Sequence, residues 1–375
     1  MKIVFSTDQI YLHGGLEKVL SEKANWFADV YGYEVFILTT EQKSLPPCYT
    51  LSTKVVLLDL GIDYYRKSSY FHPKNLIKAP SHFLKWKKAI KKIGPDVLIS
   101  CNYAFDFYWI PFFFKSIPKL KEFHSSRYFE NQLRKQCGFI KRWHFKLNDF
   151  IESKFTRLVV LNPDEVSFYP TNNVVVIPNP VKKVTEKTAS LTAKRAIAAG
   201  RVFPVKGFDV MISVWREVVN FCPDWELHIY GDGDEDYLKH LNQAISVSNL
   251  NNHVFIHAAT KTLDQEMLQS SLYLMTSKTE CYPMVLIEAL SLGLPVVSFD
   301  CPTGPRHIVK NQITGFVTPY EEVKLIAQQV IVLIQNDALR KQLGSNAVVD
   351  AISFQPDHVM PLWNALFYEI KSSIF

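Results

Sequence analysis

The sequence predicts an α/β protein of two domains, each a doubly wound parallel sheet, and three observations carry that expectation. Short apolar runs alternate with stretches of helical period, as in a sheet covered on both faces. The alternation halts at Pro178-Asn179-Pro180 and a polar stretch over residues 182–194, then restarts. The 375 residues suit two domains at roughly 150 residues each. With 47% hydrophobic and 21% charged residues, the composition excludes disorder, collagen-like repeats and coiled coil.

The first half opens with a buried strand over 2–6 and a loop containing His13-Gly14-Gly15. Leu16, Val19, Leu20 and Ala24 then recur at helical spacing up to Phe27. Strands follow over 34–39 and 54–58. A basic amphipathic helix over 83–93 stops at Gly94-Pro95. Further strands fit 96–100, 158–161 and 174–177, and residues 182–194 read as a linker. In the second half, strands are expected over 196–199, 226–230, 254–256, 272–275, 295–299 and 315–317. Helices fit 208–219, 284–291, 323–335 and 357–371.

Charge is unevenly placed. Residues 61–160 hold 20 Lys/Arg against 7 Asp/Glu, a net of +13, while the whole chain is +6. Such a surplus points to an anionic partner: nucleic acid, phospholipid or a phosphorylated substrate. The wet face of one helix, with Lys85, Lys87, Lys88, Lys91 and Lys92, accounts for any single cluster equally well. The six cysteines are never closer than 20 residues, so there is no CxxC pattern, and reduced thiols in a cytosolic protein are expected. The most apolar stretch, 103–114, has 12 residues and carries Asp106 and Pro111, whereas a bilayer span needs about 20. Three apolar residues before Ser6 are too few for a signal-peptide core, so no crossing of a membrane is expected.

In open parallel sheets, ligands bind beyond the carboxyl ends of the strands. Four post-strand loops are therefore candidates. His13-Gly14-Gly15-Leu16 places paired glycines before a helix, where backbone N–H groups can approach a phosphate. It lacks the full GxGxxG spacing, and a plain strand-to-helix turn fits it as well. The loop over 200–207 carries Arg201 and Lys206, a guanidinium fork and a point charge able to converge on a diphosphate. A solvated basic loop is the bland alternative.

The third loop leads from Glu280-Cys281-Tyr282 into Pro283-Met284-Val285 and a helix. Pro283 is expected at the first helical position, leaving neighbouring amides free to face an anion. Glu288 then lies about 7–8 Å along the helix, at about 1.5 Å per residue from Pro283. Two carboxylates so spaced can hold different parts of one extended ligand. The fourth candidate is His124 in Glu122-Phe123-His124-Ser125, though a lone histidine is more often structural.

Together these residues resemble a known family. HGGLEKVL, EFHSS, VIPNPV, AAGRVFPVKGFD, IYGDGDE, TECYPMVLIEALSLGLPVVSFD, CPTGPRHIV and ITGFV occur in the order found in family-4 retaining glycosyltransferases of the GT-B fold. The resemblance runs from about residue 3 to 365 and is closest to bacterial enzymes that build cell-surface polysaccharides. It implies two Rossmann-like domains facing across a cleft, an acceptor-side domain over 1–181 and a nucleotide-sugar domain over 195–355. The terminal helix, 356–375, would return to the first domain. It also implies that Arg201 and Lys206 hold the diphosphate, with Gly14 and Gly15 close by and Gly231 on the nucleotide side. Glu288 would receive the ribose, while Glu280 and the backbone around Tyr282, Met284 and Val285 hold the donor hexose. His124 would lie near the transferred sugar.

Family members need no metal or other cofactor, the nucleotide sugar being a co-substrate. On that resemblance Asp232-Gly233-Asp234 reads as nucleotide-side architecture, not as a metal-binding DxD. His257, His307 and the Cys281-Tyr282 pair depart from the family's usual Gly, Glu and Gly-Phe. The expected partners are a UDP-sugar, a saccharide acceptor on a polyprenyl diphosphate and an anionic membrane surface, with no nucleic acid. The expected location is the cytoplasmic face of the inner membrane, held there peripherally by the basic first half and the aromatic stretch 103–114. Three other readings compete: a dehydrogenase, against which the incomplete GxGxxG argues, a GT-B epimerase or hydrolase, and a basic membrane-surface adaptor.

Overall fold

Thirteen strands assemble into two parallel sheets in a computed structural model that describes residues 1–102, 104–183 and 185–372. The first unit comprises Met1–Pro180 together with the helix from Pro356, and the second is Val181–Gln355.

The first unit contains β1 (Lys2–Thr7), α1 (Gly15–Asp29), β2 (Glu34–Thr39), β3 (Val55–Asp59), α2 (Pro73–Leu76), α3 (Ala79–Ile93) and β4 (Val97–Ser100). It continues through β5 (Lys119–Glu122), α4 (Tyr128–Gln136), α5 (Phe139–Glu152), β6 (Arg157–Val160), α6 (Pro163–Val166) and β7 (Val174–Val176). Its sheet has the order β3-β2-β1-β4-β5-β6-β7. Pleating sends alternate side chains to opposite faces. Ile3 and Phe5 therefore join the core under α1, while Val4 joins Trp86 and Ile90 of α3 on the other side. In α3, His82, Trp86, Ile90 and Ile93 are buried at helical spacing, and Gly94 ends the helix in the left-handed conformation that glycine adopts freely.

The second unit contains β8 (Arg195–Ala199), α7 (Phe208–Val219), β9 (Glu226–Tyr230), α8 (Glu235–Val247), β10 (Val254–His257), α9 (Leu263–Leu268) and β11 (Leu272–Met275). Then come α10 (Met284–Ser291), β12 (Val296–Asp300), β13 (Gly315–Pro319), α11 (Val323–Gln335) and α12 (Asp337–Ala351). Its order is β10-β9-β8-β11-β12-β13. The last helix, α13 (Pro356–Ser372), belongs to the first unit. There Phe367 packs on Phe27 with ring centroids 5.2 Å apart, and Lys371 pairs with Asp96 at 2.8 Å.

Some expectations change. The aromatic stretch is chiefly core: Phe105, Phe107 and Ile110 are buried, leaving Phe112 and Phe113 partly exposed, while Tyr103 lies outside the described residues. It therefore offers little to a membrane, because its large rings close the space beneath α3. Part of the supposed linker is packed too. The Ala189 N–H donates to the Leu292 carbonyl at 2.8 Å, and the buried Leu191 accepts from Arg340 Nε at 3.1 Å. Among the described residues, no helix is long and apolar enough to cross a membrane. All six cysteines are free thiols.

Candidate functional site

In the second unit, the strand order reverses between β8 and β11, the point where open sheets take ligands. The two strands share only two paired positions, Ala196 with Leu272 and Ile197 with Tyr273. Beyond that the Tyr273 hydroxyl fills the gap, donating to the Ala199 carbonyl at 3.0 Å and accepting from its N–H at 2.9 Å. The strands thus splay at their carboxyl ends, and the loops after them flank the opening.

Arg201 and Lys206 stand on the loop after β8, Glu280 on the loop after β11. Arg201 is exposed, with its guanidinium 5.7 Å from the Phe203 ring centroid. Lys206 does not point free into solvent. Its Nζ lies 2.6 Å from Glu280 Oε1, which also accepts from Ser277 Oγ at 2.7 Å. Glu280 is 12% exposed, and its backbone is held by Pro302, Thr303 and Gly304. Gly207 fixes Lys206 in place. Its φ is +63°, and a Cβ there would meet the Thr276 carbonyl oxygen at 2.2 Å.

Helix α10 spans the expected residues 284–291, but Pro283 precedes it instead of taking its first helical position. Pro283 is its N-cap, with ψ near 90° holding it extended, and Met284 is the first helical residue. Met284, Val285 and Glu288 are half-buried, whereas Tyr282 is buried and its hydroxyl has no hydrogen-bond partner among the described residues. Gly231 opens the loop after β9, where a Cβ would stand 1.9 Å from the Gly200 carbonyl oxygen. The two loops are stitched by Val202 N–H to Asp232 O and Asp234 N–H to Val202 O, each 2.9 Å. Both aspartates have local work. Asp232 Oδ1 accepts from the Ala259 N–H at 3.1 Å, and Asp234 Oδ1 caps α8 through the Tyr237 N–H at 2.7 Å. No group of three potential metal ligands occurs among the described residues.

His257 ends β10 in an aromatic stack, 4.6 Å from the Tyr230 centroid and 5.1 Å from that of His228. Tyr230 and Arg195 both donate to Glu266, at 2.6 and 2.7 Å. Burial holds both histidines below the usual imidazole range, so they are neutral near pH 7. His307 falls in a short turn after β12.

His124 follows β5 in the first unit. That strand is absent from the sequence expectation because KLKE reads as a solvated run, yet Lys119, Lys121 and Glu122 are all buried. Glu122 Oε2 receives both the Lys23 ammonium from α1 and His124 Nε2, the latter at 2.9 Å. Burial opposes ionisation of Glu122, but Lys23 and His124 outweigh it and bring its pKa down to about 2. Burial lowers the His124 pKa, offset in part by Glu122, and its Nδ1 has no hydrogen-bond partner among the described residues. A neutral ring donating from Nε2 presents Nδ1 as an acceptor. The cavity beside it, about 230 Å³, is lined by Leu16, Cys101, Asn102, Lys121 and His124 among others.

Lys23 and Glu122 escaped sequence reasoning. The available signal was a lysine at the apolar spacing of α1, between Leu20, Ala24 and Phe27, which asks for a buried partner. Gly14 caps that helix and Gly15 begins it. The Glu17 carboxylate of the first turn faces this positive end, and a Cβ on Gly14 would meet its Oε2 at 2.2 Å.

Two parallel, doubly wound sheets of this kind match the GT-B architecture. Residues 182–349 match the family described as glycosyl transferases group 1. An uncharacterized glycosyltransferase of Haemophilus influenzae is 26% identical over 97% of this chain and 99% of its own length. The amylovoran biosynthesis glycosyltransferase AmsD of Erwinia amylovora is 33% identical over 45% of this chain, a match spanning 47% of that relative. Sucrose-phosphate synthase from Thermosynechococcus elongatus superposes with a TM-score of 0.81 at 15% identity, covering 99% of both chains. Anabaena Alr3699/HepE, solved in complex with UDP, gives 0.75 at 17% identity and 100% coverage of both.

Proposed function

We propose that the protein is a metal-independent, retaining family-4 glycosyltransferase. It moves a hexosyl or N-acetylhexosaminyl group from a UDP-sugar to a saccharide on a polyprenyl diphosphate, in O-antigen, capsule or exopolysaccharide assembly. The Lys206–Glu280 pair at the reversal point of the second sheet carries this reading. It sets a cation for phosphate and a carboxylate for sugar hydroxyls side by side. UDP in the HepE complex and the polysaccharide role of AmsD support the substrate class.

Arg201 and Lys206 take the charge that grows on the leaving diphosphate, so they stabilise the transition state more than the ground state. Glu288 binds the ribose, with Gly231 on the nucleotide side. Glu280 and the backbone of Tyr282, Met284 and Val285 hold the hexose, and His124 Nδ1 accepts from a hydroxyl of the transferred sugar. The leaving phosphate takes the proton of the incoming hydroxyl on the same face, so no enzymatic nucleophile is required. The protein works at the cytoplasmic face of the inner membrane, held there by its basic first half.

A thermal-shift screen of UDP-, GDP- and dTDP-sugars tests donor choice, because a ligand at 100 times its Kd adds about 2.7 kcal/mol. Incubation of the stabilising donor with lipid-linked saccharides should then yield an extended lipid with the anomeric configuration kept, read by NMR. Free sugar as the sole product, whatever the acceptor, overturns the transfer.

A further inference from the structure

We propose that α5 is the element that enters the membrane, its outer face lying in the headgroup layer of an anionic bilayer. This rests on the membrane reading above and goes beyond it by naming the surface.

The inner face of α5 is satisfied: Phe145, Asn148, Ile151 and Glu152 are buried. The outer face carries Phe139, Ile140, Trp143, Leu147 and Phe150, and none has a place in the core. Their exposures are 75, 86, 59, 44 and 53%. At about 100° per residue, these five positions fall within one stripe roughly a quarter of the helix wide. Phe139 and Trp143 stand side by side with centroids 6.1 Å apart. A cavity of about 830 Å³, lined by Phe71, Phe139, Ile140 and Leu147 among others, prolongs the apolar surface. A contiguous exposed apolar patch of this kind marks an interaction site.

Charge selects the occupant. Lys141, Arg142, Lys146 and Lys154 are exposed, and none is in an ion pair among the described residues. Lys146 lies 5.7 Å from the Trp143 centroid and Lys154 4.8 Å from that of Phe150. The two carboxylates of the helix are taken inward, Asp149 by Arg134 at 2.7 Å and Glu152 by the buried Arg127. The outward face is therefore apolar and cationic with no compensating anion. Large rings at the acyl boundary, with lysine and arginine reaching back to phosphate, are what an interfacial helix requires. A protein partner or a second copy would more often meet a face depleted of lysine.

The full chain is tested by co-sedimentation with phosphatidylglycerol-containing and pure phosphatidylcholine vesicles, with circular dichroism as the control for folding. Wild type should bind the anionic vesicles. The Phe139→Ser, Ile140→Ser, Trp143→Ser variant should lose on the order of tenfold or more in affinity. Brominated lipid should quench wild-type fluorescence, and Trp143→Phe should remove that quenching, a readout that does not depend on the triple variant. Equal binding by wild type and the triple variant, with quenching kept in Trp143→Phe, overturns the role of α5 and leaves the membrane reading standing. No binding by wild type to either vesicle overturns both. A dimer of wild type that the triple variant abolishes, without vesicle binding, assigns the face to a second copy and overturns the proposal.

Discussion

Lys206 and Glu280, 74 residues apart in sequence, meet at 2.6 Å across the reversal point of the second sheet. The pairing changes what each is expected to do. A diphosphate that recruits Lys206 must share it with a carboxylate already in place. Lys206→Ala should cut turnover by about ten- to a hundredfold, since a charge-assisted contact contributes roughly 1.5–3 kcal/mol. If Glu280 holds the sugar and Lys206 the diphosphate as proposed, Glu280→Gln should tighten UDP binding by releasing Lys206 while lowering kcat. The two losses should not add, being effects on one network. Calorimetry with UDP and initial rates for the double variant check this, and fully additive losses would contradict it.

The buried Lys23–Glu122 pair makes a different prediction. Lys23→Met leaves a carboxylate buried without its cation and should cost about 3–5 kcal/mol. Lys23→Met with Glu122→Gln should recover much of that loss. The Glu122 pKa falls from 4.5 unfolded to about 2 folded. Its stabilisation is therefore complete above the unfolded value and is lost as pH drops from 4.5 towards 2. Urea denaturation of the single and double variants measures the recovery. A double variant as unstable as Lys23→Met would refute the pairing as the source.

Much of this was legible in the sequence. Strands such as Val97–Ser100 and Leu272–Met275 stand out because they are buried along their whole length and read as short apolar runs. The strand Lys119–Glu122 was hidden for the opposite reason. Its charges are buried but paired or bonded, with Lys121 Nζ donating to the Asn102 and Glu122 carbonyls at 2.9 Å, and pairing across a fold has no local signature. Helices α8 and α12 went unnoticed because charged and polar residues fill their outer faces. The positions of Arg201, Lys206, Glu280 and Glu288 could be named from motif order. That Lys206 and Glu280 touch could not, because it depends on which strands become neighbours.

His82 predicts acid sensitivity of the first unit. Its ring is fully buried, accepting or donating at Tyr64 Oη over 2.9 Å, and burial with nearby Lys85 lowers its pKa from 6.5 to about 3. The folded state thus keeps it neutral where the unfolded chain protonates it. Its stabilisation is present above 6.5 and lost as pH falls, by about 2 kcal/mol between pH 8 and 5. His82→Gln should be less stable at pH 8 yet show a flatter pH dependence. Denaturant midpoints at both pH values decide it, and parallel slopes for wild type and variant would exclude His82 as the titrating group.

The last prediction concerns Asp232 and Asp234, whose spacing imitates a metal-binding motif. Asp234 spends its Oδ1 on the first turn of α8, and Asp232 Oδ1 receives the Ala259 N–H. A side chain that satisfies an orphan N–H at a helix start contributes typically about 1 kcal/mol. Asp234→Ala should therefore lower the melting temperature by a few degrees, about 2–4 °C per kcal/mol for a unit near this size. Asp234→Ser should restore most of it, because serine also caps. If the proposed diphosphate chemistry relies on Arg201 and Lys206, transfer by wild type should persist in EDTA, and both Asp234 variants should keep turnover within a few-fold. Activity lost in EDTA and returned by manganese, together with loss of that response in Asp234→Ser, would make these carboxylates metal ligands and overturn the metal-independent reading.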